Sequence, residues 1–422
     1  MDIYKIKGGK KLAGEVRISG AKNAALPIIV ASLLADGETI LKNVPDLKDI
    51  RTIIKVIEYL GAETQFDPEK NTLKITVKNI KNAEVPYDLV KTMRASVYVM
   101  GPLLARIGEA DVSLPGGCAI GERPIDIHLA GFEALGTKIE IEHGFIKARA
   151  EKLSGNTYKM RGISVGATAN IMMAAVLAKG KTVMENCALE PDIVDLGQFL
   201  NKMGAQITGL GSERIEIEGV KKLSPVTYTI MPDRIEAGTQ LLAGAITRGN
   251  LKITDMVPEH IGALIDTLKE IGFKLDSGKD WVSISASKKL NGAVIKTMPY
   301  PGFPTDLQAP LMSLTTTIPG ISVIIETIFE NRFTHAPELR RMGADITIEG
   351  NVAVVKGVKK LSAAPVMMSD LRAGAALVIA ALGAAGTSEI RRIYHSDRGY
   401  EKLSQKLNAI GADIKRVAGG NP

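Results

Sequence analysis

Asp49-Ile50-Arg51-Thr52-Ile53-Ile54-Lys55-Val56-Ile57-Glu58-Tyr59-Leu60-Gly61-Ala62 reads as a helix that carries its own stop. Ile50, Ile53, Ile54, Ile57 and Leu60 recur with the 3.6-residue period and share one face. Gly61 follows the last of them, where a glycine takes the left-handed conformation that ends a helix. The pattern returns at Ala134-Leu135-Gly136-Thr137, Lys202-Met203-Gly204-Ala205, Glu270-Ile271-Gly272-Phe273, Arg341-Met342-Gly343-Ala344 and Ala409-Ile410-Gly411-Ala412. The stops lie about 70 residues apart, longer than a solenoid repeat and the size of a small αβ unit. An alternating strand usually follows, as in Lys138-Ile139-Glu140-Ile141-Glu142 and Arg214-Ile215-Glu216-Ile217-Glu218. Residues 167–178 and 372–385 are apolar all round and rich in Ala and Gly, which predicts buried, closely packed helices.

Six units predict an α/β protein of two domains with three units each. One internal parallel supports the pairing. Met231-Pro232-Asp233-Arg234-Ile235-Glu236-Ala237-Gly238 stands beside Met368-Ser369-Asp370-Leu371-Arg372-Ala373-Gly374. A boundary near 229–232 gives a first domain of 21–230. The second domain takes 231–422 together with 1–20, whose strands on either side of Gly8-Gly9 pair with the second half. Two lobes with a cleft between them are the expected setting for a small-molecule site.

The chain has 422 residues, more than one ordinary core accommodates. Its 45% apolar content is that of a globular protein. No apolar run reaches the roughly 20 residues that span a bilayer, and Met1-Asp2-Ile3-Tyr4-Lys5 is unlike a signal peptide. Two cysteines give no disulfide framework, which points to the reducing cytoplasm. The net charge of +7 is spread along the chain, and aromatics are only 4%, so a nucleic-acid platform is disfavoured. A positive cleft for a small polyanion accounts for the same charge. The five histidines are isolated, so no metal site is read, and neither a dinucleotide fingerprint nor a Walker loop is present.

Ser113-Leu114-Pro115-Gly116-Gly117-Cys118-Ala119-Ile120-Gly121-Glu122-Arg123-Pro124 reads as a hinged surface loop with Cys118 at its tip. Arg123 nearby favours the thiolate. The plainer reading is a turn holding an inert cysteine. Cys187, in the strand-like Val183-Met184-Glu185-Asn186-Cys187, reads as structural. Lys22 and Asn23 in Gly20-Ala21-Lys22-Asn23-Ala24 open an apolar helix, where free N–H groups bind anions. Otherwise Lys22 is solvated and Asn23 a cap. Arg94 in a mostly apolar run calls for phosphate, carboxylate or an ion pair. Asp306 follows the rigid Pro301-Gly302-Phe303-Pro304-Thr305 approach and opens a helix, either as a general base or as a first-turn acid that stabilises the helix. Glu330 and Arg332 form a charged pair in apolar surroundings. Lys22, Arg123, Arg332, Arg372 and Arg398 together suit a small polyanion.

Gly20-Ala21-Lys22-Asn23-Ala24, Thr92-Met93-Arg94-Ala95-Ser96, Pro115-Gly116-Gly117-Cys118, Phe303-Pro304-Thr305-Asp306, Phe329-Glu330-Asn331-Arg332 and Asp397-Arg398-Gly399-Tyr400 resemble the motifs of the UDP-N-acetylglucosamine enolpyruvyl transferases, over essentially the whole chain. The resemblance implies two inside-out α/β barrels, each of three βαβαββ repeats around buried helices, with the active site in the interdomain cleft. It implies transfer of the enolpyruvyl group of phosphoenolpyruvate to the 3-hydroxyl of UDP-N-acetylglucosamine, with release of phosphate, through a tetrahedral ketal. This is the first committed step of peptidoglycan synthesis, in the cytoplasm, without metal or organic cofactor. The sister family, acting on shikimate 3-phosphate, shares the fold and lacks the cysteine loop.

The resemblance also implies roles. Lys22, Arg123 and Arg398 hold phosphoenolpyruvate, with Arg372 contributing charge. Cys118 is the general acid at the methylene carbon and the site of covalent adducts, fosfomycin's among them. Asp306 takes the proton of the sugar hydroxyl. Asn23, Arg94, Arg123, Pro124, Ile125, Asp126, Ile127, Ser164, Val165, Gly166, Asp306 and Ile328 line the nucleotide-sugar site. Arg332 and Asp370 support it electrostatically. Many relatives carry a basic residue directly before the Ser-Val-Gly-Ala motif. Here Arg161 is displaced by one position, and no nucleotide contact is assigned to it.

Overall fold

All six helix-stop glycines, Gly61, Gly136, Gly204, Gly272, Gly343 and Gly411, adopt positive φ between 88° and 112°. The repeat read from the sequence is therefore a repeat of backbone conformation. A computed structural model describes residues 2–90, 93–114, 125–286 and 289–419, without the side chains of 90 and 94–96.

Six four-stranded sheets are present among these residues, and all share one pattern. One edge pair is parallel and the other two pairings are antiparallel. In residues 20–231, for example, Thr227–Thr229 lies parallel to Gly37–Lys42, which pairs antiparallel with Thr72–Val77, itself antiparallel to Glu63–Asp67. The last strand of this unit thus returns to the first sheet and closes the set of three. The predicted strands Lys138–Glu142 and Arg214–Glu218 occur with those bounds.

The second unit comprises residues 2–19 and 232–419. Its closure needs the beginning of the chain. Ala13–Arg17 lies parallel to Asn250–Thr254, and Asp2–Lys7 runs antiparallel between Thr387–Arg391 and Ile414–Ala418. The strands beside Gly8-Gly9 therefore occupy places in two different sheets of the C-terminal half.

Each unit has its own core. In residues 20–231 it is built around the helices Lys22–Ala31, Met100–Ile107 and Val165–Ala175. In the other unit it is built around Arg234–Ile246, Thr305–Thr315 and Leu371–Gly383. The helices are inside and the sheets outside, so each unit is an inside-out barrel. Small residues permit the close approach. A Cβ added to Gly101 would stand 2.5 Å from the Asn170 carbonyl oxygen on the neighbouring helix.

The amphipathic helix read from the opening stretch is present: Lys48–Tyr59 buries Ile50, Ile53, Ile54 and Ile57. The strand-like reading of 183–187 needs correction. The strand ends at Glu185, because Asn186 takes φ +60° and turns the chain before Cys187. No helix among the described residues is long and apolar enough to cross a membrane.

Candidate active site

The buried helices carry candidate residues at their N-termini. Asp233 caps Arg234–Ile246, its Oδ1 accepting from the Ile235 and Glu236 amides at 2.8 and 3.0 Å. Asp370 caps Leu371–Gly383 in the same way, from the Arg372 and Ala373 amides at 2.9 and 3.1 Å. The internal parallel between 231–238 and 368–374 is thus a pair of equivalent caps. The third helix, Thr305–Thr315, follows Pro304 without a side-chain cap and has Asp306 in its first turn.

Asp306 divides its two oxygens between two arginines. Oδ1 accepts from Arg332 Nη2 at 2.8 Å and Oδ2 from Arg372 Nη2 at 2.7 Å. The arginine side chains are 3% and 7% exposed and Asp306 is 26% exposed, so the carboxylate is the reachable end of the cluster. Arg372 Nη1 donates to the Tyr400 hydroxyl at 3.2 Å, and that hydroxyl lies 3.1 Å from Thr239 Oγ1. Burial works against the charge of Arg372, but Asp306, Tyr400 and Asp233 outweigh it and raise its pKa. Arg372 is a fixed cation. Two guanidiniums favour the ionised form of Asp306, the form a general base starts from. The first-turn position suits a negative charge as well, as the helix-stabilising reading of Asp306 expects.

Behind this cluster stand Asp370 and His335. The second oxygen of Asp370 accepts from Thr334 and Ser369, each at 3.1 Å. Burial pushes the Asp370 pKa up, and the Ala373 amide and the charge of Arg332 prevail and lower it. His335 is 1% exposed, and burial pushes its pKa down to about 4. Its ring is therefore neutral at ordinary pH.

In the unit of residues 20–231, Lys22 opens its helix with Nζ 3.5 Å from Asp49 Oδ2; the two side chains are 12% and 7% exposed. Lys22 is not a solvated lysine. Ser164 caps Val165–Ala175 through the Ala167 amide at 3.2 Å. The His128 ring packs against Gly166, where a Cβ would stand 3.0 Å from Nε2. Asn170 Nδ2 lies 3.2 Å from His128 Nδ1 and holds the ring, and Tyr158 donates to the Ile127 carbonyl at 3.0 Å. The His128 ring therefore sets the helix Asp126–Ala134 against the N-terminal turn of Val165–Ala175. Arg161 pairs with Asp126.

Several candidates stand differently. Cys118, Arg123 and Pro124 lie outside the described residues, as does the side chain of Arg94, whose backbone opens a 3₁₀ turn, Arg94–Val99. Arg398 ends the 3₁₀ turn Ile393–Arg398 and is partly buried, while its neighbour Asp397 is bound through both oxygens by Arg416 at 2.9 and 3.0 Å. Ile328 is 36% exposed on the turn after Ile321–Ile325. Glu330 and Arg332 part company: Arg332 turns inward to Asp306 and Glu330 faces solvent. Cys187 is fully buried, and burial pushes its thiol up to about 12. Sequence reasoning missed Tyr400, Thr239, His335 and Glu326. Tyr400 stood in a quoted motif without a role. The signal for Glu326 was a lone acid closing an apolar strand.

The family model of EPSP synthase (3-phosphoshikimate 1-carboxyvinyltransferase) matches residues 6–407. The UDP-N-acetylglucosamine 1-carboxyvinyltransferase of Geobacter metallireducens is 55% identical over 99% of this chain and 100% of its own length. That of Myxococcus xanthus is 54% identical over 99% of each. The chain belongs to this carboxyvinyl transferase family. Among solved structures, the enolpyruvyl transferase NikO from Streptomyces tendae matches with a TM-score of 0.89 at 27% identity, over 99% of both chains. EPSP synthase from Acinetobacter baumannii has a TM-score of 0.78 at 17% identity, over 99% of this chain and 100% of its own, a likeness of fold. As a carboxyvinyl transferase the chain carries, in Asp306, Arg332 and Arg372, a carboxylate and two cations already assembled.

Proposed function

We propose that this chain transfers the enolpyruvyl group of phosphoenolpyruvate to the 3-hydroxyl of UDP-N-acetylglucosamine, releasing phosphate, as the first committed step of peptidoglycan synthesis in the cytoplasm. The observation that carries the reading is the Asp306 carboxylate held between Arg332 and Arg372 with one face accessible. The names of relatives 54–55% identical over their whole length support the choice of acceptor.

Asp306 takes the proton of the sugar hydroxyl as its oxygen bonds to C2 of phosphoenolpyruvate. Cys118 delivers a proton to the methylene carbon, giving the tetrahedral ketal. Loss of a methyl proton and departure of phosphate then restore the double bond in the product ether. Lys22, Arg123 and Arg398 hold the phosphate and carboxylate of phosphoenolpyruvate, and Arg372 adds to the positive field. Residues 125–127 and 164–166 receive the nucleotide, with Asn23, Arg94 and Ile328 completing the sugar's surroundings. The domains are taken as 21–230, bearing the Cys118 loop, and 1–20 with 231–422.

Phosphate release tests the reading. It should require both phosphoenolpyruvate and UDP-N-acetylglucosamine and no added metal. Release with shikimate 3-phosphate in place of the nucleotide sugar overturns the choice of acceptor.

A further inference from the structure

Glu326 closes the apolar strand Ile321–Ile325 and is 2% exposed. A carboxylate so buried has to be hydrogen-bonded. Its Oε1 accepts from Thr297 Oγ1 at 3.0 Å and from the Ile328 and Phe329 amides at 2.8 and 3.2 Å. Its Oε2 accepts from Thr305 Oγ1 at 3.0 Å. The acid itself is anchored by its backbone: its amide donates to the Asn351 carbonyl at 2.9 Å, and its carbonyl accepts from Asn351 Nδ2 at 3.0 Å.

These donors belong to separate segments. Thr305 is the first residue of the Asp306 helix. Ile328 and Phe329 form the turn that leads to Arg332, whose guanidinium lies 5.2 Å from the centre of the Phe329 ring. The Asp306 helix has no side-chain cap, and the Thr305–Glu326 bond ties its first residue to the end of the strand.

We propose that Glu326 is a positioning residue, which through Thr305 on one side and the Ile328–Phe329 amides on the other fixes Asp306 relative to the turn bearing Ile328. It acts through these groups and does not touch substrate. The proposal rests on the reading above, in which Asp306 takes the sugar proton while Ile328 lines the sugar's surroundings. The two arginines orient the Asp306 carboxylate, and Glu326 locates the backbone that carries it. A shift of about 1 Å between base and hydroxyl is enough to cost on the order of 10²-fold in rate.

Thr305→Val tests the tie, because it removes only the hydroxyl and leaves the turn's bonds to Glu326 in place. Its kcat should fall about tenfold or more, with the KM for phosphoenolpyruvate within about threefold of the unaltered protein. Thr305→Ser, which keeps the hydroxyl, should restore kcat. Glu326→Ala frees both sides, so kcat should fall and the KM for UDP-N-acetylglucosamine should rise while that for phosphoenolpyruvate holds. Adding Thr305→Val to Glu326→Ala should cost nothing further, since the two act through one bond. If Glu326→Ala fails to fold, the Val and Ser variants decide alone. An unchanged kcat in Thr305→Val, a loss that Thr305→Ser shares, or an equal rise in both KM values overturns the proposal. Absence of turnover in the unaltered protein overturns the functional reading and this proposal with it, whereas normal turnover with an unaffected Thr305→Val overturns this proposal alone.

Discussion

Arg372 and Asp306 begin neighbouring buried helices, and the guanidinium of one meets the carboxylate of the other at 2.7 Å. The contact joins two helix N-termini that the sequence places 66 residues apart. Arg332 completes the arrangement from a turn that belongs to neither helix.

Replacing Asp306 separates its chemical from its structural role. Asp306→Asn should lower kcat by about 10²-fold or more, the usual worth of a general base, with nucleotide-sugar affinity by calorimetry largely kept. Asp306→Ala leaves two buried guanidiniums without their partner and should cost roughly 3–5 kcal/mol in urea unfolding. Unchanged turnover in Asp306→Asn would leave the residue a structural one.

Tyr400→Phe removes the hydroxyl that both Arg372 and Thr239 use. Two buried polar groups lose a partner, so stability should fall by about 1–3 kcal/mol in denaturant unfolding. A variant as stable as the original protein would show that the hydroxyl contributes nothing net.

His335 gives the protein an acid-side liability. Burial lowers its pKa to about 4, against 6.5 for an ordinary histidine. Between those values the unfolded chain binds the proton and the folded one does not, so the stability present above pH 6.5 is lost as pH falls toward 4. This group's share is up to about 1.4 kcal/mol per pH unit in that window. His335→Phe should remove that slope, and the difference between the two proteins in urea unfolding at pH 7 and pH 4.5 measures it. Parallel pH profiles would contradict it.

Arg398→Ala should weaken phosphoenolpyruvate binding by roughly 1.5–3 kcal/mol, the worth of a charged hydrogen bond, and spare UDP-N-acetylglucosamine. Titration with each ligand separately checks this. Equal losses would remove Arg398 from the phosphoenolpyruvate subsite.

The two cysteines should react differently. Cys187 is fully buried with a thiol pKa pushed up to about 12, so it offers almost no thiolate at neutral pH. An epoxide that mimics phosphoenolpyruvate should label Cys118 alone, and Cys118→Asp should stay active and resist the epoxide. Mass spectrometry of the treated protein decides, and label on Cys187 would overturn the assignment.

The sequence made the repeat legible because its signals are local. A helix period and a stop glycine lie within a dozen or so residues of each other, and all six stops fold as read. Apolar content along 167–178 and 372–385 marked buried helices for the same reason. Asp306, Arg332 and Arg372 could be nominated singly, because charged residues in apolar surroundings need partners. Which of them would meet was not legible, since the pairing is set by packing between helices. Glu326 was invisible for a related reason: the Ile328 and Phe329 amides are its near neighbours, but the two hydroxyls that fill its other positions, Thr297 and Thr305, lie 29 and 21 residues away and are brought to it only by the fold. Arg161 shows the limit in another way, because its partner Asp126 is 35 residues away and was assigned to the nucleotide-sugar site with no hint of an ion pair.

The places that Asp2–Lys7 and Ala13–Arg17 take in the C-terminal sheets order events during synthesis. These strands are made before residues 20–419, yet Asp2–Lys7 cannot be flanked on both sides until Ile414–Ala418 has been made. At about 5–20 residues per second that wait is on the order of tens of seconds. Residues 20–231 contain all the strands of their own three sheets and can close well before translation ends. The nascent chain therefore carries an incompletely paired ribbon while residues 20–231 can already be closed, and the cell has to keep that ribbon from finding another edge in the meantime.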